Sequence, residues 1–152
     1  MTLRLLFAGI LSAFLIGCGG GEKKAPVDPN KLTEFQLANG IGPVMKPLEL
    51  GPIDKAKAEA GAKIFEQKCF SCHRMDQKLV GPPLHEVLSR RSPEFVVNMI
   101  MNPEIMIEKH PEVQKMLAQY MQKMTYQDVK LEEAFQILEY LRLEKETPTP
   151  TK

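Results

Sequence analysis

The 152-residue chain has no tryptophan, three histidines and three cysteines. The missing tryptophan decides nothing, but the short supply of cysteine and histidine does. A structural zinc needs four ligands, usually as two pairs. Here Cys69 and Cys72 form the one close pair, and His85 and His110 are too isolated to complete a zinc pattern. A one-sided charge is also lacking: 20 basic residues face 19 acidic ones, a net charge of +1, so nothing points to nucleic acid as a partner. Strand-like alternation is scarce, whereas a Cys-x-x-Cys redox dithiol wants a βαβ setting. The apolar run from Leu5 to Ile16 is too short to span a bilayer comfortably.

That run, with Arg4 before it, suits the core of a secretory signal peptide over residues 1–17. It ends in Leu15-Ile16-Gly17-Cys18, which resembles a bacterial lipobox. Cleavage then falls after the small Gly17, and the thiol of Cys18 carries a diacylglycerol. Gly19-Gly20-Gly21 follows as a flexible tether. The expectation is a protein on the periplasmic side of a bacterial membrane, held by a lipid anchor. Removing residues 1–17 removes Arg4 and no acid, leaving 20 − 1 = 19 basic residues against 19 acidic ones. Any charge used to dock a partner is therefore local.

The chain is organised around Cys69-Phe70-Ser71-Cys72-His73, the Cys-x-x-Cys-His spacing of covalent c-type haem attachment. Two thiols three positions apart reach the two vinyl groups on one porphyrin edge and become thioethers. The next residue lies under the ring, which makes His73 the candidate proximal ligand. The cysteines are then accounted for as two for haem, one for lipid and none for a disulfide. Export agrees with this reading, since bacteria attach c-type haem outside the cytoplasm.

Residues 18–53 read as a tether and a packing arm. Leu32–Leu37 suits a short helical turn, and Gly40, Gly42, Pro43, Pro47, Gly51 and Pro52 break regular structure after it. Asp54 is placed to cap a helix running to about Lys68, in which Gly61 is costly unless a close contact favours it. Ser92-Pro93-Glu94 starts a helix that Asn102-Pro103 ends. Pro103–Ile107 suits a further helical turn, and Glu112–Met121 another helix. Leu131–Leu143 keeps a helical period, and residues 146–152 read as a tail. His85 reads as a surface histidine.

Residues 54–145 resemble a small monohaem class I cytochrome c. Gly61-x-x-x-Phe65-x-x-x-Cys69-x-x-Cys72-His73 is similar to that family's opening helix, Gly81-Pro82-Pro83-Leu84 to its Gly-Pro-x-Leu segment, and Tyr140-Leu141 to the end of its closing helix. The resemblance implies an all-α cytochrome c fold around one covalent haem c. It also implies a close crossing of the first and last helices at Gly61 and Phe65, with Tyr140 as the expected partner. The carbonyl of Pro82 is expected to accept a hydrogen bond from His73, and Leu84 to pack on the porphyrin. In the family the axial methionine precedes the last helix. That implies Met124, seven residues before Leu131, with Met121 as the fallback. The family's Met-Pro is here Met124-Thr125. The implied function is one-electron transfer, not catalysis, between an upstream donor and a terminal reductase (nitrous oxide reductase among them) or an oxidase. His110 is a further candidate for the sixth ligand, and two other readings stay open at this point: a haem enzyme or gas sensor with an open sixth site, and a haem subunit of a larger respiratory complex. Residues 102–120 look like an enlarged distal lobe.

Overall fold

A computed structural model describes residues 31–147. The expected signal peptide, Cys18, the tether to residue 30 and the tail beyond residue 147 lie outside the described residues. Seven helices follow in order: α1 (Glu34–Asn39), α2 (Lys55–Lys68), α3 (Val87–Arg90), α4 (Pro93–Met101), α5 (Pro103–Lys109), α6 (Pro111–Tyr120) and α7 (Leu131–Glu146). No strand occurs among the described residues.

Local chemistry explains most of the helix starts. Asp54 accepts from the amide of Lys57 at 3.1 Å and Ser92 from that of Phe95 at 3.1 Å, each filling one of the orphan donors of a helix N-terminus. Thr33 and Gln36 form a reciprocal capping box on α1. α7 runs on to Glu146, beyond the expected end at Leu143 and into what read as tail.

α2 and α7 cross at Gly61. A Cβ there would overlap the carbonyl of Gln136 and lie 2.8 Å from the amide nitrogen of Ile137. Only glycine lets the two backbones approach so closely, which accounts for its presence in a helix interior. One turn on, the rings of Phe65 and Tyr140 meet with centroids 5.4 Å apart. The core at this joint takes in Phe65, Ala134, Ile137, Leu138 and Leu141, joined by Val96 and Val97 of α4.

The arm from Leu32 belongs to the same compact unit as the helices. Its glycines and prolines prevent regular pairing, so side chains of the helices take up its backbone groups. Asn98, fully buried on α4, donates to the carbonyls of Asn39 (3.0 Å) and Val44 (2.9 Å) and accepts from the amide of Val44 (2.9 Å). Glu94 accepts from the amide of Leu48 at 2.6 Å. Asn98→Ala removes all three of its bonds and strands buried amide and carbonyl groups of the arm. A loss of about 2–4 kcal/mol is expected, read as a lower denaturant midpoint of the haem-loaded protein. An unchanged midpoint would mean that the arm does not contribute to the fold.

Two histidines differ from expectation. His85 is buried at 6% exposure instead of lying on the surface, because its segment turns inward behind the haem motif, with its amide bonded to the carbonyl of Met75. His110 is fully buried where α5 meets α6. Its Nε2 lies 3.1 and 3.2 Å from the carbonyls of Gln36 and Leu37, and its ring meets Phe95 edge-on at 5.3 Å. It therefore ties α1 to the distal lobe, whose second small core is Phe95, Met106 and Val113.

Candidate haem site

The end of α2 carries the chain straight into the motif. The amide of Cys69 bonds back to Phe65, and the amides of Cys72 and His73 bond to the carbonyl of Cys69 at 3.1 and 2.9 Å. This tight turn brings both cysteines and His73 to one wall of a cavity. The guanidinium of Arg74 stacks 3.6 Å from the centre of the Phe70 ring and donates to the carbonyls of Phe70 and His73, which fixes the outside of the turn. The next segment folds back beneath it: the amide of Gly81 bonds to Cys72 and that of Leu84 to Arg74. A Cβ at Gly81 would lie 2.8 Å from Nδ1 of His73, so the absence of a side chain there lets the imidazole sit flat against the backbone.

Nδ1 of His73 is 3.0 Å from the carbonyl of Pro82. A carbonyl only accepts, so Nδ1 carries the proton and donates. Nε2 then keeps its lone pair, and it has no hydrogen-bond partner among the described residues. Burial holds the His73 pKa below the ordinary histidine range, against the opposing pull of the Pro82 carbonyl. The ring is thus a neutral, oriented imidazole, the form a metal takes. Burial pushes the Cys69 thiol up to about 11, unlike the lowered value of a reactive dithiol. Among the described residues no three His, Cys, Asp or Glu side chains gather into a metal site, so the zinc reading lacks its ligands.

The cavity measures about 240 Å³. Pro82 and Leu84 stand on the His73 side, and Met124 also lines it. Met121 does not: it sits in the left-handed position that closes α6 and is 82% exposed. His110 is likewise absent from the lining. Lys68, Arg91, Met99 and Met116 also line the cavity, and nothing in the sequence marks them as site residues. Lys68 was visible only as the neighbour of Cys69, and the others only as helix or turn residues.

These residues fit a haem. Two free thiols and one imidazole lone pair share a wall, a thioether lies in the same cavity, and the remaining lining is largely apolar. Residues 58–143 match the family model described as Cytochrome c. The chain belongs to the cytochrome c family. It is a class I monohaem cytochrome c with a covalently bound haem c, and Cys69 and Cys72 have the attachment spacing.

Solved relatives agree over most of this cytochrome. A cytochrome c from Rhodothermus marinus is 39% identical, with a TM-score of 0.69, covering 78% of this chain and 98% of that one. An engineered form of that protein, solved bound to a carbene intermediate, is 38% identical with a TM-score of 0.67, covering 79% of this chain and all of that one. A cytochrome c2 from Rhodopseudomonas palustris is 40% identical over 45 residues, 30% of this chain and 32% of that protein. A cytochrome c type-1 from Ascaris suum is 40% identical over 42 residues, 26% of this chain and 38% of that protein. The matched stretch spans about a third of the length of these curated relatives.

Proposed function

We propose that this cytochrome is a lipid-anchored one-electron carrier of a bacterial respiratory chain, with His73 and Met124 as axial ligands of its haem. The observation that carries the reading is the meeting of Cys69, Cys72, His73 and Met124 on one cavity, with Nε2 of His73 unengaged. When bound, the haem iron supplies one-electron chemistry, shifted to higher potential by a methionine ligand. The chain's residues do the rest. Cys69 and Cys72 hold the porphyrin edge as thioethers. Pro82 fixes the tautomer of His73 and strengthens its donation. Leu84, Ile137 and Leu141 keep water from the cavity. Cys72 is exposed and Phe70 is 37% exposed, so the thioether edge lies at the surface, where an electron can pass to a docked protein.

Cys18 carries the lipid in this reading, and the anchor keeps the carrier at the periplasmic membrane face. Confinement raises its effective concentration near a membrane-associated donor and a terminal reductase or oxidase. Cys18→Ser is expected to move the protein from the membrane fraction to the soluble periplasmic fraction; retention in the membrane would refute the anchor.

The test of the carrier function is the absorbance of the haem-loaded protein, oxidised, reduced, and reduced under carbon monoxide. A low-spin spectrum with the weak far-red methionine–iron band and no response to carbon monoxide is expected. A high-spin spectrum that shifts under carbon monoxide would replace the carrier with an open-site enzyme or sensor.

A further inference from the structure

The segment carrying Met124 runs from Met121 to Lys130 without helix. Two of its non-glycine residues, Met121 (φ 56°) and Asp128 (φ 50°), hold left-handed backbone. Such conformations persist only where surroundings over-determine them. The segment also lacks a proline after Met124, so its own covalent geometry does little to stiffen it. Something else must hold it.

Lys68 is in position to do so. It is the last residue of α2, directly before Cys69. Its ammonium lies 2.6 Å from the carbonyl of Asp128 and 3.3 Å from that of Gln127, across 60 and 59 residues of sequence. Glu133 of α7 is 3.9 Å away and also caps the amide of Lys130 at 2.8 Å. Within the segment, the side-chain amide of Gln127 donates from Nε2 to the carbonyl and hydroxyl of Thr125, passing the restraint toward Met124. Tyr126 donates to the carbonyl of Val129 at 3.0 Å. Hydrogen bonds from a charged donor are stronger than neutral ones, and the Lys68 side chain is half-buried, at 28% exposure.

We propose that Lys68 is a positioning residue for the sixth haem ligand. It clasps the kink at Gln127–Asp128 and so holds the Met124 segment at a fixed height above the wall that bears Cys69 and His73. One end of the haem-attachment helix thereby sets both sides of the site. This inference rests on the reading of Met124 as ligand.

The test uses the full-length, haem-loaded protein and three variants. Lys68→Met keeps the stem and removes the donors, Lys68→Arg restores donors, and Glu133→Gln removes the carboxylate while leaving the carbonyl bonds. The readouts are the affinity of the ferrous protein for carbon monoxide, the temperature at which the far-red band of the ferric protein disappears, and the far-ultraviolet unfolding midpoint. Lys68→Met is expected to bind carbon monoxide about tenfold more tightly, as the methionine-detached state becomes more populated. It should lose the far-red band well below its unfolding midpoint. Lys68→Arg should return both readouts most of the way, and Glu133→Gln should change them less than Lys68→Met. The proposal is overturned if Lys68→Met matches the wild type in both readouts. It is equally overturned if the band and the fold are lost together, since that is a structural role only. A failure of the ligand reading looks different: Met124→Ala would then keep the wild-type far-red band, whatever the Lys68 variants do.

Discussion

Gly61→Ala is expected to lower the unfolding temperature of the haem-loaded protein by on the order of 10–15 °C, and Gly61→Leu to prevent folding. Two opposing effects decide the outcome. Alanine is a better helix former than glycine by about 1 kcal/mol, and an uncrowded site would gain stability. At this site the added methyl overlaps the carbonyl of Gln136 and lies 2.8 Å from the amide nitrogen of Ile137. Both are backbone atoms inside a hydrogen-bonded helix, so no rotamer change relieves the clash. Overpacking a close-packed interior costs about 1–3 kcal/mol and sometimes more, and a wedge between two backbones belongs at the high end. A net loss of about 2–3 kcal/mol is a large part of a typical domain's stability and converts to the stated temperature shift. Thermal unfolding followed by far-ultraviolet circular dichroism checks it. A midpoint equal to or above the wild type would mean that α2 and α7 have room to part.

The same crossing positions the haem site. α2 ends at Cys69, while α7 starts just beyond the Met124 segment and presents Ile137 and Leu141 to the cavity. Forcing these helices apart therefore also moves the attachment wall relative to the ligand wall, and Gly61→Ala should bind carbon monoxide more readily than the wild type.

What could be read from the sequence was local or fixed by covalent chemistry. The Cys69–His73 motif stands out because two thioethers and one iron bond allow little variation in spacing. Asp54 and Ser92 announce their helices because a cap acts within three residues. The His73–Pro82 bond and the Gly61 crossing came with the family resemblance, and the structure contains both. The features that stayed hidden act across the chain. α3 has no side-chain cap, so nothing in its sequence marks it. Asn98 reads as an ordinary polar residue in an apolar helix until the arm, 54 residues earlier, brings the backbone of Val44 against it. Lys68 reads as a solvated lysine until Asp128 arrives 60 residues later. His85 looks like a surface histidine and His110 like a candidate iron ligand for the same reason: burial is decided by the segment that folds over them.

Met124→Ala is expected to lower the reduction potential by on the order of 0.1 V, a modest part of the ~0.8 V range over which axial ligands act, and to let carbon monoxide bind the ferrous iron. The thioether of methionine raises the potential, so its loss should lower it. Three methionines line the cavity, and their surroundings separate them. The sulfur of Met116 faces the guanidinium of Arg91 at 3.9 Å. Met99 packs into the second core with Phe95, Met106 and Val113, where a flexible thioether serves as filler. Met124 alone sits on a non-helical segment clasped to the haem-attachment helix. Potentiometric titration and carbon monoxide binding decide the matter together. If both stay at wild-type values, Met99 or Met116 holds the iron, and the distal lobe is the ligand-bearing element. If the potential falls and carbon monoxide binds, Met124 is the ligand, and the residues from Met121 to Lys130 become the part of the chain that tunes the carrier.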